Sequence, residues 1–294
     1  MDSGPAPDAG LDGLDKAAPG DFRGRFREIL SDPLNLLIRR HPRAGAVEPD
    51  GDGELVTLHN GHRVPLSGKG AYYGRFSDIL VLNRGVHEPL EEYVFQEVLP
   101  HMPPRPLMLE LGAYWGHYSL WLKQHRPEGQ VHLVEPSPVH LEAGRQNFAR
   151  HGHDASFVQE GVGRDAFAVD AWRKMGGHGR IDLLHADIQG AEVEMLEGAA
   201  ETLAARAVGH LFVSTHSQEL HAEVEDRVRA AGYRIEVSAD FDRVTTSFDG
   251  FLLAVDPDLP PVWRGPPPLG REEIGMAAPA ELLARLLALS PGRD

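Results

Sequence analysis

The stretch Leu107-Met-Leu-Glu-Leu-Gly-Ala-Tyr-Trp-Gly116 decides the fold. A short apolar run, interrupted only by Glu110, predicts a buried strand over 107–111. Two glycines then turn the chain, and residues 118–125 carry a helical pattern. Downstream the alternation continues. Strands are expected over 131–135, 155–160, 181–187 and 211–214, with helices over 138–151, 192–205 and 219–231. Two more strands, 233–238 and 250–255, have no helix between them. Strand–helix repetition with short loops predicts an α/β fold with a mainly parallel seven-stranded sheet covered on both faces. The last two strands should form an antiparallel hairpin at one edge.

Upstream the pattern is less regular. Residues 1–20 are Gly, Pro, Ala and Asp with little to bury, and are expected to form a disordered tail. Phe22 to Leu30 suits a short amphipathic helix. Residues 55–59 and 62–66 read as a β-hairpin whose Asn60-Gly61 suits a type I′ turn, with Pro65 on an edge. Pro89 opens a helix running to Leu99. The expected organisation is an N-terminal region over 21–105, an α/β domain over 106–256, and a Pro-rich arm from 257 with a C-terminal helix near 279–289. The leucines of that helix, from Leu282 to Leu289, suit tail docking or a homo-oligomer.

Composition narrows the class. The 29 Lys and Arg stand against 44 Asp and Glu, a formal charge of −15. Such a surface repels phosphate backbones and anionic lipid, so neither nucleic acid nor membrane is an expected partner. There are no cysteines, which removes disulfides, thiolate zinc sites and Cys nucleophiles. With no apolar run of membrane-spanning length and no secretory pattern at the N-terminus, a cytoplasmic location is expected. The oddity is 16 histidines, most of them expected at the surface.

The loop Glu110 to Gly116 lies where an open parallel sheet binds its ligand, beyond the carboxyl end of a strand. Gly112 allows the tight turn, and Gly116 allows close approach at the helix start. Glu135, ending the next strand, is placed to accept both hydroxyls of an adenosine ribose. The dinucleotide fingerprint needs three glycines and only two are present, which argues against a nicotinamide-dependent oxidoreductase. Residues 67–70 fail as a P-loop, and no H-E-x-x-H zinc motif occurs.

Three segments together resemble a known family. They are Glu110 to Trp121, Val134-Glu-Pro-Ser-Pro138, and Ile181-Asp-Leu-Leu-His-Ala-Asp-Ile-Gln-Gly-Ala-Glu192 with Leu196-Glu-Gly-Ala199. From Leu109 to about Val255 the chain is similar to class I S-adenosylmethionine (SAM)-dependent methyltransferases with a Rossmann-like fold, and most similar to the FkbM type. Gly85-Val-His-Glu-Pro89 also resembles the family's region before the catalytic domain. The sequence departs at His185 (usually Lys), Gln189 (usually Glu) and Tyr114 (usually Asn). After the fifth strand it has Ser214-Thr-His-Ser217 where the family has a Glu-containing segment.

The resemblance implies SAM as cofactor and methylation of a hydroxyl on a small polar acceptor, a sugar or natural-product intermediate. N-methylation and a non-catalytic binding module are the alternatives. Glu135 would hold the ribose, with Pro136 and Ser137 beside the adenine and Gly161 and Val162 at its edge. Gly112, Ala113, Tyr114 and Gly116 would shape the methionine side, with Glu110 near the ammonium. Asp187, ending the fourth strand, faces the transferred methyl as base, anchor or cofactor contact. His216, after the fifth strand, suits a neutral base, and His87 with Glu88 can reach the cleft. Asp187 with His216 could alternatively hold a divalent metal. His185 is expected to partner Asp187, and His221 to face solvent. Tyr72 and Tyr73 could wall an acceptor pocket.

Overall fold

The computed structural model describes residues 26, 29–51, 53–68, 70–72, 74–163, 166–241, 249–263, 273 and 276–290. The expected tail over 1–20 and Tyr73 lie outside them. Of the first expected helix, Phe26 and residues 29–31 are described and helical, with Phe26 and Ile29 buried. Phe26 meets the Phe76 ring edge-on at 4.9 Å.

A small antiparallel sheet follows: β1 (Val47–Asp50), β2 (Gly53–Thr57) and β3 (Arg63–Pro65). β3 is an edge strand, which suits Pro65 because a proline offers the ladder no donor. The hairpin is one residue longer than a type I′ turn allows. Leu58 N–H donates to His62 O at 2.7 Å and Gly61 N–H to Leu58 O at 3.0 Å. Only Gly61 of the turn has positive φ, +94°. This is a three-residue loop whose left-handed position needs glycine, and it turns the His59 side chain inward.

Helices α1 (Asp78–Leu82) and α2 (Pro89–Val98) complete the N-terminal region. The main sheet is built from β4 (Leu107–Leu111), β5 (Gln130–Val134), β6 (Ser156–Val158), β7 (Ile181–Ala186), β8 (Val208–Thr215), β9 (Arg234–Ala239) and β10 (Gly250–Val255). Between them run α3 (His117–His125), α4 (Pro138–Arg150), α5 (Val169–Gly176), α6 (Glu192–Gly198), α7 (Ala200–Ala204) and α8 (Gln218–Ala230). The spatial order is β6-β5-β4-β7-β8-β10-β9. The pairs from β6 to β8 are parallel, and β10 runs antiparallel to both β8 and β9. The expected seven-stranded α/β sheet and edge hairpin are therefore present.

β4 and β7 lie side by side although β5 and β6 intervene in sequence, so the strand order reverses there. The crevice beyond the carboxyl ends of β4 and β7 is the topological switch point where such sheets take ligands. One apolar core, including Met108, Leu183, Phe212 and Leu253, fills one face of the sheet. A second, including Leu109, Ile181, Leu184 and Leu211, fills the other. A third joins the small sheet to the loop after β4 through Val56, Tyr72, Phe76 and Trp115. The last described helix, α9 (Pro279–Leu289), is tied to α2 by Tyr93 Oη donating to Leu289 O at 2.9 Å. Among the described residues no helix is long and apolar enough to cross a membrane.

Candidate active site

Two cavities meet at the switch point. One, of about 330 Å³, is lined by Glu135, Pro136, Ser137, His140, Val162 and Ile188. The other, of about 410 Å³, is lined by residues from both the sheet and the N-terminal region, including Tyr72, His87, Glu88, His185, His216 and Asp249. Gly112, Tyr114, Asp187 and Gln189 belong to both. Glu110 and Ala113 line the larger cavity. Gly116 and Gly161 line neither. Gly116 instead lets the start of α3 press against Leu133 and Phe148.

The loop after β4 is held by carboxylates. Glu135 Oε2 accepts from Tyr114 N–H at 3.0 Å and Oε1 from Ser137 N–H at 2.9 Å. That bond fixes Tyr114 with φ at +47°, a conformation uncommon for a bulky residue. The resembled family's asparagine would adopt it more easily. The Tyr114 hydroxyl donates to Ala71 O at 3.2 Å, pinning the loop to the N-terminal region. Glu110 accepts from Ser119 N–H at 3.0 Å, a negative charge at the N-terminus of α3. Burial pushes its pKa up.

The histidines sort differently from the sequence expectation. His216 is engaged at both ring nitrogens, Nε2 with Asp187 Oδ1 at 3.2 Å and Nδ1 with Glu192 Oε1 at 2.7 Å. Burial opposes its charge, but the hydrogen bonds to Asp187 and Glu192 outweigh burial and lift its pKa to about 10. A neutral imidazole free to take a proton is thus not what the structure presents near neutral pH. The expected metal pair is likewise an ion pair, Asp187 with His216, completed by Glu192. Asp187 would be raised by burial, yet its hydrogen bond with His216 holds it low and ionised.

His185 does not pair with Asp187. Its Nε2 meets Glu91 Oε1 from α2, and Ser214 Oγ donates to Glu91 Oε2 at 2.5 Å. Against the burial penalty, Glu91 lifts the His185 pKa to about 9. His221 is buried, with Nδ1 2.9 Å from Thr215 Oγ1 and Nε2 3.0 Å from Ser238 Oγ. Seven of the histidines are buried: His59, His62, His87, His117, His185, His210 and His221.

His87 and Glu88 do reach the larger cavity. His87 Nδ1 lies 2.6 Å from Glu92 Oε1, and Nε2 lies 3.7 Å from Glu88 Oε2. Burial works against the imidazolium, but Glu92 and Glu88 outweigh it and raise the His87 pKa. Glu88 accepts from the Tyr118 hydroxyl at 2.8 Å, and burial lifts its carboxyl to about 8. Glu91, Glu92 and Tyr118 were not singled out from sequence. The apolar stripe of α2 gave no clue to Glu92, which lies on the opposite side of the helix and is buried all the same.

The His216 pairing has a pH signature. A folded pKa of about 10 against an unfolded value near 6.5 gives stability that is full below pH 6.5 and lost as pH rises through 10. His216→Asn should cost on the order of a few kcal/mol at pH 6 and little at pH 10. Urea unfolding at both pH values checks this, and a pH-independent difference would refute it.

Residues 143–235 match the family model of the methyltransferase FkbM domain. No curated protein matches. Among solved structures, the chain is similar to the methyltransferase FkbM from Methylobacillus flagellatus KT at 16% identity, over 61% of this chain and 52% of that one, with a TM-score of 0.43. It is also similar to precorrin-6y C5,15-methyltransferase from Geobacter metallireducens GS-15 at 12% identity, over 56% and 86%, TM-score 0.41. Magnesium protoporphyrin IX methyltransferase from Synechocystis PCC 6803, with bound SAM, is 15% identical over 57% and 82%, TM-score 0.39.

Proposed function

We propose that this protein methylates a hydroxyl of a small polar acceptor, a sugar or natural-product intermediate, with SAM as donor. The carrying observation is the pair of adjoining cavities, one ending on Glu135 and the other ringed by acid–base side chains, with Gly112 and Asp187 in both. The donor set fits the cofactor. Glu135 offers a carboxylate for the ribose diol, with Pro136 and Ser137 beside the adenine, and Glu110 and Asp187 offer anionic surroundings to a sulfonium and an ammonium. When bound, SAM supplies an electrophilic methyl group.

The chain's own task is to orient the acceptor oxygen and take its proton. His87 is the group we assign to that proton. His87 Nδ1 lies against Glu92, whose carboxylate stabilises the imidazolium that forms when the ring takes the proton. Asp187, kept ionised by His216, is the acceptor anchor. His216 is then a positioning residue rather than the base. The ring of polar groups suits a hydroxylated acceptor, whereas an amine needs less help from a base.

His87→Ala should lower turnover by about 10² to 10⁴ while calorimetry still shows SAM binding. Turnover at the wild-type rate would remove His87 from the chemistry. The reaction itself is tested by incubating the protein with SAM and a panel of sugars, phenols, aliphatic alcohols and amines, and locating the added methyl by mass spectrometry. Methylation of amines alone would replace the oxygen assignment with N-methylation.

A further inference from the structure

We propose that His59, Glu92 and His117 form a site for a divalent metal of the zinc type, which clamps the N-terminal region to the main sheet beneath the larger cavity. The three residues come from the turn after β2, from α2 and from the first position of α3. They are only 1%, 0% and 4% exposed. One ligand atom from each lies within 4.8 Å of the other two, and among the described residues this is the one such group of three.

Hydrogen bonding accounts for only part of the cluster. His59 Nε2 pairs with Glu92 Oε2 at 2.8 Å. His59 Nδ1 and both nitrogens of His117 are buried without a hydrogen-bond partner. Each such orphan costs roughly 1–3 kcal/mol. Three unpaired ring nitrogens would not be buried beside a carboxylate and against Trp121 without something to satisfy them. A cation takes three lone pairs at once.

The donor set selects the ion. Two imidazoles and one carboxylate, with no thiolate, suit zinc with a fourth position left for water. Magnesium and calcium prefer all-oxygen shells. A tetrahedron with bonds of about 2.1 Å sets its ligand atoms roughly 3.4 Å apart, within reach of small side-chain adjustments here. The outer shell is in place too. Glu92 Oε1, the oxygen turned away from His59, accepts from the backbone N–H of His87 at 2.9 Å and of Glu88 at 3.1 Å. Such contacts orient a ligating carboxylate. Through Glu92 the ion also sets the position of His87, so its role is structural and its influence reaches the cavity.

Metal content decides the matter. Full-length protein purified without nickel affinity or chelator should carry about one zinc per chain by plasma mass spectrometry. Stripped protein should bind cobalt(II) with the visible absorption of a tetrahedral site. Removing the metal should lower Tm by about 5 °C or more, and zinc should restore it. His59→Ala and His117→Ala should lose the metal, and His216→Ala should keep it, which separates this site from the Asp187–His216 pair. If the alanine variants fail to fold, cobalt titration of the wild-type protein decides alone. Folded wild-type protein that takes up neither cobalt nor zinc and keeps its Tm in chelator would overturn the site. So would metal that His117→Ala retains and His216→Ala loses. SAM binding, measured on the same samples, reports separately on the methyltransferase reading.

Discussion

Glu135→Ala should weaken SAM binding at least 100-fold in calorimetry while the protein stays folded. The carboxylate has two tasks. In the proposed function it would offer its remaining lone pairs to the ribose diol, in charge-assisted hydrogen bonds worth about 1.5–3 kcal/mol each. It also holds the loop, because Tyr114 N–H and Ser137 N–H both end on it. Removing it leaves two backbone donors unpaired and frees Tyr114 from its left-handed conformation. Losing about 2.7 kcal/mol is already a factor of 100 in affinity, and both effects run the same way. Glu135→Gln should fall between, since an amide oxygen can still accept from one backbone N–H but brings no charge. Unchanged affinity in the alanine variant would mean that the cofactor does not lie in the smaller cavity.

Much of the sheet was legible because its signals are local. Apolar runs bounded by Pro106 and Gly112, or by Gly250 and Asp256, set β4 and β10 at the expected residues. Two elements had no such signal. β1 contains Glu48, Pro49 and Asp50 and exists only because it pairs with β2. α5 has apolar residues at helical spacing, Val169, Trp172 and Met175, but spans only eight residues, and its Asp170 accepts from the backbone N–H groups of Glu201 and Thr202 at 2.9 and 2.7 Å. The expected helix over 192–205 is broken at Ala199 into α6 and α7, directly after Gly198.

The candidate site divides along the same line. Glu110, Gly112, Ala113, Tyr114, Glu135, Pro136, Ser137, Val162 and Asp187 fall on the cavity walls because a strand's end fixes where its next residues point. Partners could not be read that way. His185 meets Glu91, 94 positions away, and His216 meets Glu192 across 24. His59, Glu92 and His117 lie on a turn and two helices that converge only after the small sheet docks on α3. Sequence counted sixteen histidines. Only packing reveals which are buried and what each faces.

Gly112→Ala should have the largest effect of any single methyl group added to this chain. A Cβ there would lie 1.7 Å from Asp187 O and 2.7 Å from its carbonyl carbon, with φ at +70°. No rotamer relieves a collision with backbone. The only escape is for the ends of β4 and β7 to part, which breaks the bond from Asp187 N–H to Leu111 O (3.0 Å) and strains that from Gly112 N–H to Val134 O (2.9 Å). Those are the strand ends that carry both cavities. The cost should exceed about 4 kcal/mol, read as a large fall in Tm or loss of soluble protein, and any folded fraction should bind no SAM. Gly161→Ala is the matched control. Its added Cβ meets nothing within 4 Å and no left-handed backbone is involved, so stability should stay within about 0.5 kcal/mol of wild type. If Gly112→Ala melted like that control, the close approach of β4 and β7 at the switch point would be wrong. The shared wall between the two cavities would go with it.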